Sequence, residues 1–282
     1  MQFDEIVREF VDRVEIPDLD KVAVIDQLLS MPRNLRSPYK GLMDYWAKAQ
    51  GKIRWGEKTP GNLFYADVIN EMFPDAVFIH MIRDPRAGVY SMEQVWFFPE
   101  DVIFNALSRH KHMTVGRSIL EGAVPADRIL TLRYEDLVAD PVPVVKRVCE
   151  FVGEAYHEQM MSYYKGADQH MRSDAAADFN ALATRPISAS ETDKWRSGLT
   201  RAELEAIELI CGEEMSEFRY ERVTSKASPL VKLRVRIKEA YWQKQESKNR
   251  DNRHFTVRYK MFSGIQRRLG IRPQRRKPVG VA

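Results

Sequence analysis

The sequence predicts an α/β fold, and three observations carry the prediction. Two short apolar runs, "AVFIHMI" (residues 76–82) and "DRILTLRY" (127–134), have the length and the Val, Ile and Phe content of buried parallel strands. Between and around them lie stretches whose apolar residues recur at the 3.6-residue period of helices. Strand, helix and strand in succession make a βαβ unit, whose crossover is right-handed.

The opening stretch reads as three helices. Phe3, Ile6, Val7, Phe10, Val11 and Val14 share one helical face. "DLDKVAVIDQLL" repeats the pattern, with Asp18 or Asp20 placed to cap it. "SPYKGLMDYWAKAQ" is a third, with Ser37 as the expected N-cap and Pro38 as the first helical residue. Residues 62–72 form an amphipathic helix before the first strand. Pro85, at a first-turn position, starts the helix after that strand, and a long helical stretch follows over 100–121. Behind the second strand, "DPVPVVKRVCEFVG" is a helix that Gly153 closes. "LTRAELEAIELICGEEMSEF" is a strong helix capped by Thr200, with Glu203 at the third position.

Composition excludes several classes. The chain is 44% apolar and 30% charged, as ordinary globular proteins are. No run has the length of a membrane span, and "MQFDEIVREF" is too acidic for a signal peptide, so the expected compartment is the cytoplasm. Cys149 and Cys211 lie in apolar helical contexts and read as reduced core residues. His110 and His112 stand two apart on a helix and so face different ways, and no metal site is expected. The net charge of +4 hides an asymmetry: residues 226–282 hold 17 Lys and Arg against 3 acids, so the preceding body is acidic. We expect a body over 1–225 and a basic tail over 226–282. In the tail, "VKLRVRIK" alternates as a strand would, yet Leu230, Leu233, Ile237 and Tyr241 also fit one helical face. Its expected contact is an acidic surface, the body's own first, or an anionic membrane; no nucleic acid is expected.

The chemistry concentrates behind the first strand, in "RDPRAGVYSM" (83–92). An arginine at a strand's carboxyl end, followed by a helix start, is placed to face an anion. Together with "WGEKTP", "LRYEDLVADP" and "RPISASETDKW", in that order, this segment resembles the sulfotransferases that use 3′-phosphoadenosine 5′-phosphosulfate (PAPS), in particular the protein-tyrosine and related bacterial branch. The resemblance covers roughly residues 55–220. It implies a P-loop-NTPase-like fold, a three-layer arrangement with a parallel sheet between flanking helices. It further implies a transferase that moves a sulfuryl group from PAPS to an acceptor hydroxyl, without a metal.

Residue by residue, the resemblance places Arg83 and Ser91 on the donor's 3′-phosphate and Tyr134 beside its adenine. Lys194 matches a lysine in the loop that closes over the nucleotide, with Arg185 and Ser188 upstream and Trp195 as the loop's apolar anchor. Arg86 reads as a structural ion pair. Lys58 matches the catalytic lysine, whose ammonium neutralises charge on the departing oxygens. Glu57, its neighbour in an extended segment, faces the other way.

One family feature has no counterpart. The glycine-threonine loop that holds the 5′-phosphosulfate, and the strand before it, are absent; "MPRNLRSPYKG" (31–41) is a poor substitute. In the family that strand is central, and its loss leaves neighbours with unpaired backbone and bare apolar faces. The expectation is an enzyme whose sequence here lacks an upstream segment, so that the chain as given is inactive. The alternative is a non-catalytic nucleotide-binding or scaffold relative whose basic tail is the working part. The acceptor, among tyrosine peptides, sugars, lipids, alcohols and phenols, is not specified by these motifs.

Overall fold

Helix ends show how closely local chemistry sets this structure, a computed structural model that describes residues 3–12, 14, 19–34, 36–95, 98–169, 184–189 and 192–248. The chain divides into two units, Met1–Ala76 and Val77–Ala282. The first unit holds α1 (Phe3–Asp12), α2 (Lys21–Leu29), α3 (Arg36–Ala49) and α4 (Ala66–Met72), with a 3-10 turn over Pro60–Tyr65. Asp20 caps α2 by accepting from the Ala23 N–H at 3.0 Å. At α3 the expected cap is corrected: Ser37 lies inside the helix and is buried, and Asn34 accepts from both its N–H and its hydroxyl. Pro38 is accommodated because a first-turn N–H has no helical acceptor to lose. Val7, Val11, Val24, Ile25, Leu28 and Leu42 form the unit's core.

The second unit holds the predicted βαβ arrangement. β1 (Phe78–Ile82) and β2 (Ile129–Arg133) run parallel and pair directly, from Phe78 opposite Ile129 to Ile82 opposite Arg133. Among the described residues these two strands make up the sheet. Burial of β1 is less complete than its apolar run predicts: Ile82 is buried, but Ile79 and Met81 are 45% and 42% exposed. Their partners Leu130 and Leu132 on β2 are buried, so the covered part of that face lies over β2.

α5 (Pro85–Glu93) follows β1, with Asp84 as its N-cap. The expected single helix over 100–121 is interrupted: α6 (Val102–Lys111) and α7 (Arg117–Ala123) flank a π-helical turn at His112–Gly116. α8 (Tyr134–Ala139) starts where β2 ends, and α9 (Pro141–Val152) stops at Gly153, whose φ of 73° is the left-handed cap the sequence predicts. A 3-10 stretch, Glu158–Gln169, follows. α10 (Trp195–Gly198) precedes α11 (Arg201–Ile210), which the reciprocal Thr200–Glu203 capping box starts as expected. The helix predicted from there breaks at Cys211, whose φ of −103° and ψ of 17° are not helical, and α12 (Gly212–Glu217) follows. The tail's ambiguity resolves as helix, α13 (Pro229–Ser247), because Val231, Val235 and Trp242 are then buried together against Ile103, Leu107 and Ala206. None of the described helices is long and apolar enough to cross a membrane.

Arg86 joins these parts. Its guanidinium is 2% exposed and forks onto Asp84, with Nε–Oδ1 at 3.0 Å and Nη2–Oδ2 at 2.7 Å. Nη1 donates to Glu208 of α11 and to the Glu221 carbonyl, both at 2.8 Å. The indole of Trp195 lies 4.1 Å from the guanidinium carbon. This is the structural ion pair expected for Arg86. Glu208 accepts in addition from the N–H groups of Val223 and Thr224 and from the Thr224 hydroxyl. Burial would raise its pKa, but these bonds outweigh burial and hold it below the ordinary value.

Glu208→Gln leaves a buried guanidinium short of one counter-charge, and is expected to cost about 3 kcal/mol at neutral pH. The sign follows from linkage: a depressed folded pKa gives stability that is complete above the unfolded value of about 4.3 and is lost as pH falls through the folded one. Urea unfolding should therefore show wild type and variant well separated at pH 6–8 and converging in acid.

Candidate functional site

Each strand of the pair ends in a residue singled out from the sequence. Because Ile82 is opposite Arg133, the next residues, Arg83 and Tyr134, emerge side by side at the carboxyl edge of the sheet. That edge is where open α/β sheets bind ligands. The Arg83 guanidinium carbon lies 4.6 Å from the Tyr134 ring centroid, a cation–π stack that holds both planes. Underneath, the Arg83 carbonyl accepts from Arg109 of α6 at 3.3 Å. Gly88 gives Arg109 room to pass, since a Cβ there would sit 2.8 Å from its Nε.

Glu135 ties the two strand ends together. One carboxylate oxygen accepts from the Asp84 N–H at 3.0 Å and the other from the Tyr220 hydroxyl at 2.7 Å. Burial, then the bond to Glu135, push the Tyr220 phenol well above its ordinary pKa, so it stays a proton donor. Asp84 in turn caps α5, accepting from the Arg86 N–H at 2.8 Å. α5 carries Ser91, exposed in its last turns.

Tyr134 also walls a cavity of about 670 Å³. Leu137, Val138 and Val145 line it from α8 and α9, Met160, Met161 and Tyr163 from the 3-10 stretch, and Arg185, Pro186, Ile187 and Ser188 from the far side. Apolar walls with a few polar groups at the rim suit a flat heterocycle. The Tyr163 hydroxyl donates to the Arg185 carbonyl at 2.8 Å, which binds the 185–188 segment to the cavity. No sequence motif marks the "MMSYY" run, and its paired Met and Tyr residues are the available signal.

Lys194 is exposed and sits at the N-cap of α10, directly before Trp195, which is 2% exposed. Trp195 is thus the anchor expected of it, clamped between Arg86 and Arg196. Gly198 allows the ring of Tyr90 to close against the end of α10, because any Cβ there would overlap that ring. The second unit therefore brings Arg83 and Tyr134 into contact, and places Tyr134 and Ser188 on one cavity. Ser91 and Lys194 lie on elements joined to the same framework through α5 and Arg86.

Lys58 lies in the first unit, exposed, in the segment between α3 and the Pro60–Tyr65 turn. Two anchors fix that segment. The Trp55 indole donates to Asp44 of α3 at 2.9 Å and packs edge-on to Phe73 at 5.7 Å. Burial would raise the Asp44 pKa, but bonds from Lys40 and Trp55 win and keep it a carboxylate. Beyond Lys58, the carboxylate of Glu57 accepts from the Thr59 hydroxyl at 2.5 Å and from the Asn62 amide. Glu57 therefore shapes the turn that carries Lys58.

Comparison with known proteins bears on the family and the fold. The model of the Sulfotransferase family matches residues 16–158, just over half of the chain. Mouse carbohydrate sulfotransferase 2 is 32% identical over 97 residues, 34% of this chain and 18% of that protein. Omega-hydroxy-beta-dihydromenaquinone-9 sulfotransferase Stf3 of Mycobacterium bovis is 26% identical over 125 residues, 38% of this chain and 31% of that protein. The matched part thus spans under a third of either relative. Among solved structures, the sulfotransferase domain from the curacin biosynthetic pathway superposes with a TM-score of 0.50 at 18% identity, covering 76% of this chain and 84% of that one, a likeness of fold. From the family model's match across both strands and the helices between them, the chain belongs to the sulfotransferase family.

Proposed function

We propose that the protein transfers a sulfuryl group from PAPS to an acceptor hydroxyl, with the nucleotide held at the carboxyl edge of β1 and β2. The observation that carries this reading is the Arg83–Tyr134 stack beside the apolar cavity. It offers a cation for a phosphate and an aromatic wall for a base at one place. In this reading Arg83 forks onto the 3′-phosphate and Ser91 adds a hydroxyl. Tyr134 packs against adenine, and Ser188 and Lys194 close over the donor from the 184–198 side. A hydroxyl acceptor fits the names of the relatives, which include a carbohydrate sulfotransferase, an omega-hydroxy menaquinone sulfotransferase and a guinea-pig 3-alpha-hydroxysteroid sulfotransferase.

Transfer exchanges one sulfur–oxygen bond for another. The acceptor oxygen attacks sulfur as its proton passes to a base or to solvent, the bond to the 5′-phosphate oxygen breaks, and adenosine 3′,5′-bisphosphate leaves. Negative charge grows on that leaving oxygen, and an ammonium beside it stabilises the transition state more than the bound donor. Lys58 is our candidate for that ammonium, and Glu57 with Thr59 and Asn62 is the support that orders its turn. The second reading, a nucleotide-binding relative without turnover, shares the Arg83–Tyr134 site and differs only in this step.

Calorimetry is expected to show adenosine 3′,5′-bisphosphate binding more tightly than AMP. Arg83→Ala should weaken the bisphosphate by about 2–3 kcal/mol, the loss of a charge-assisted bond, and leave AMP unchanged. Equal affinity of wild type for the two nucleotides would sink the 3′-phosphate assignment.

In the protein joined to a glycine-threonine phosphosulfate loop and its strand, Lys58→Ala is expected to lower transfer from labelled PAPS by two or more orders of magnitude while bisphosphate affinity stays within about threefold. Near-normal turnover in the variant removes Lys58 from the mechanism. Bisphosphate binding without transfer by the loop-bearing protein, across sugar, phenol and lipid acceptors, favours the non-catalytic reading.

A further inference from the structure

The outer face of α13 is not used by any feature described so far. Its inner face is fully employed: Val231, Val235 and Trp242 are buried, Lys238 pairs with Asp101, and Glu246 pairs with Lys111 at 2.6 Å. On the other side Leu230, Leu233 and Ile237 stand at i, i+3 and i+7, one stripe along the helix. They are 57%, 55% and 62% exposed.

Charge is sorted around this stripe. At about 100° per residue, Arg234 falls on one flank of the stripe and Arg236 on the other, both exposed, and Lys244 and Lys248 continue its line. The helix's two acids, Glu239 and Glu246, fall on the opposite half. Arg and Lys stems at such positions cover apolar surface while their heads reach outward. The chain beyond the helix, residues 249–282, adds ten Lys and Arg against one Asp.

We propose that this face is a docking surface for an anionic lipid bilayer, with Leu230, Leu233 and Ile237 entering the headgroup boundary and Arg234 and Arg236 on anionic headgroups. Three aliphatic residues between cationic flanks is the pattern of a helix lying in a membrane interface, where apolar burial and charge attraction are each weak alone and sufficient together. The competing occupants fit less well. A second copy would bring two cationic faces together over a stripe far smaller than the roughly 800 Å² per partner of a stable interface. The 249–282 segment has the same sign of charge as the face it would cover. The body's acidic groups near the helix, such as Asp101, are already met by its inner side.

The test uses the 282-residue chain and vesicles of phosphatidylcholine, with or without about a third phosphatidylserine, in a flotation assay. Wild type is expected to float with the anionic vesicles, weakly with the neutral ones, and less as salt rises. Leu233→Glu/Ile237→Glu should reduce binding at least tenfold with an unchanged melting temperature, since both side chains are exposed. Leu233→Trp should bind as wild type does and shift its emission to the blue on adding anionic vesicles. Equal flotation of wild type and the double glutamate variant overturns the proposal, leaving binding to the basic residues alone. A concentration-dependent dimer that the double variant abolishes, without vesicle binding by wild type, assigns the face to a second copy and overturns it too.

Discussion

One buried guanidinium sets the geometry on which the candidate site rests. Arg86 has its charge met by two carboxylates, a further donor met by a backbone carbonyl, and its face covered by an indole. Such a group tolerates no partial arrangement, because desolvation is recovered only when every partner is present. Its partners come from the end of β1, from α11, from the loop after Tyr220 and from α10. Arg83 is held three residues upstream on one side of this knot, and Lys194 one residue before Trp195 on another. The nucleotide residues therefore take their positions from a network that makes no contact with the nucleotide in the proposed reading.

Much of the fold was legible where a single local interaction decides the outcome. Pro85 after an aspartate, Gly153 after an apolar helix, and Thr200 three residues before Glu203 each have one good solution, and each adopts it. Legibility failed where two local solutions were close in energy. Asn34 and Ser37 are both good caps, and burial of Ser37 within the helix gave the role to Asn34. The alternation in "VKLRVRIK" fits a strand as well as a helix, and only Trp242, eleven residues after Val231, adds burial that a helix alone can collect. The π-helical turn at His112–Gly116 has no signal in the periodicity, since it changes register by one residue inside a helical stretch.

The site divides along the same line. The placement of Arg83 and Tyr134 at strand ends was readable because each directly follows an apolar run, and parallel pairing then brings them together. The walls of the cavity were not, because Met160, Met161 and Tyr163 come from an irregular stretch whose placement depends on tertiary contacts. Arg86 was read as a structural ion pair, but nothing in the sequence points to Asp84 or to Glu208, more than a hundred residues later, as its partners.

The pairing of β1 with β2 also governs how this chain can vary. Side chains on a strand alternate between faces, so adding or removing one residue in either strand would turn Arg83 away from Tyr134 and exchange the covered face of the sheet for the bare one. The surface loops of the connection, outside Asp84 and α5, are under no such restriction, and lengthening one of them costs only a slowly growing closure entropy. Length changes compatible with an intact Arg83–Tyr134 stack are thus confined to the connections, and the two five-residue strands form a fixed gauge between them.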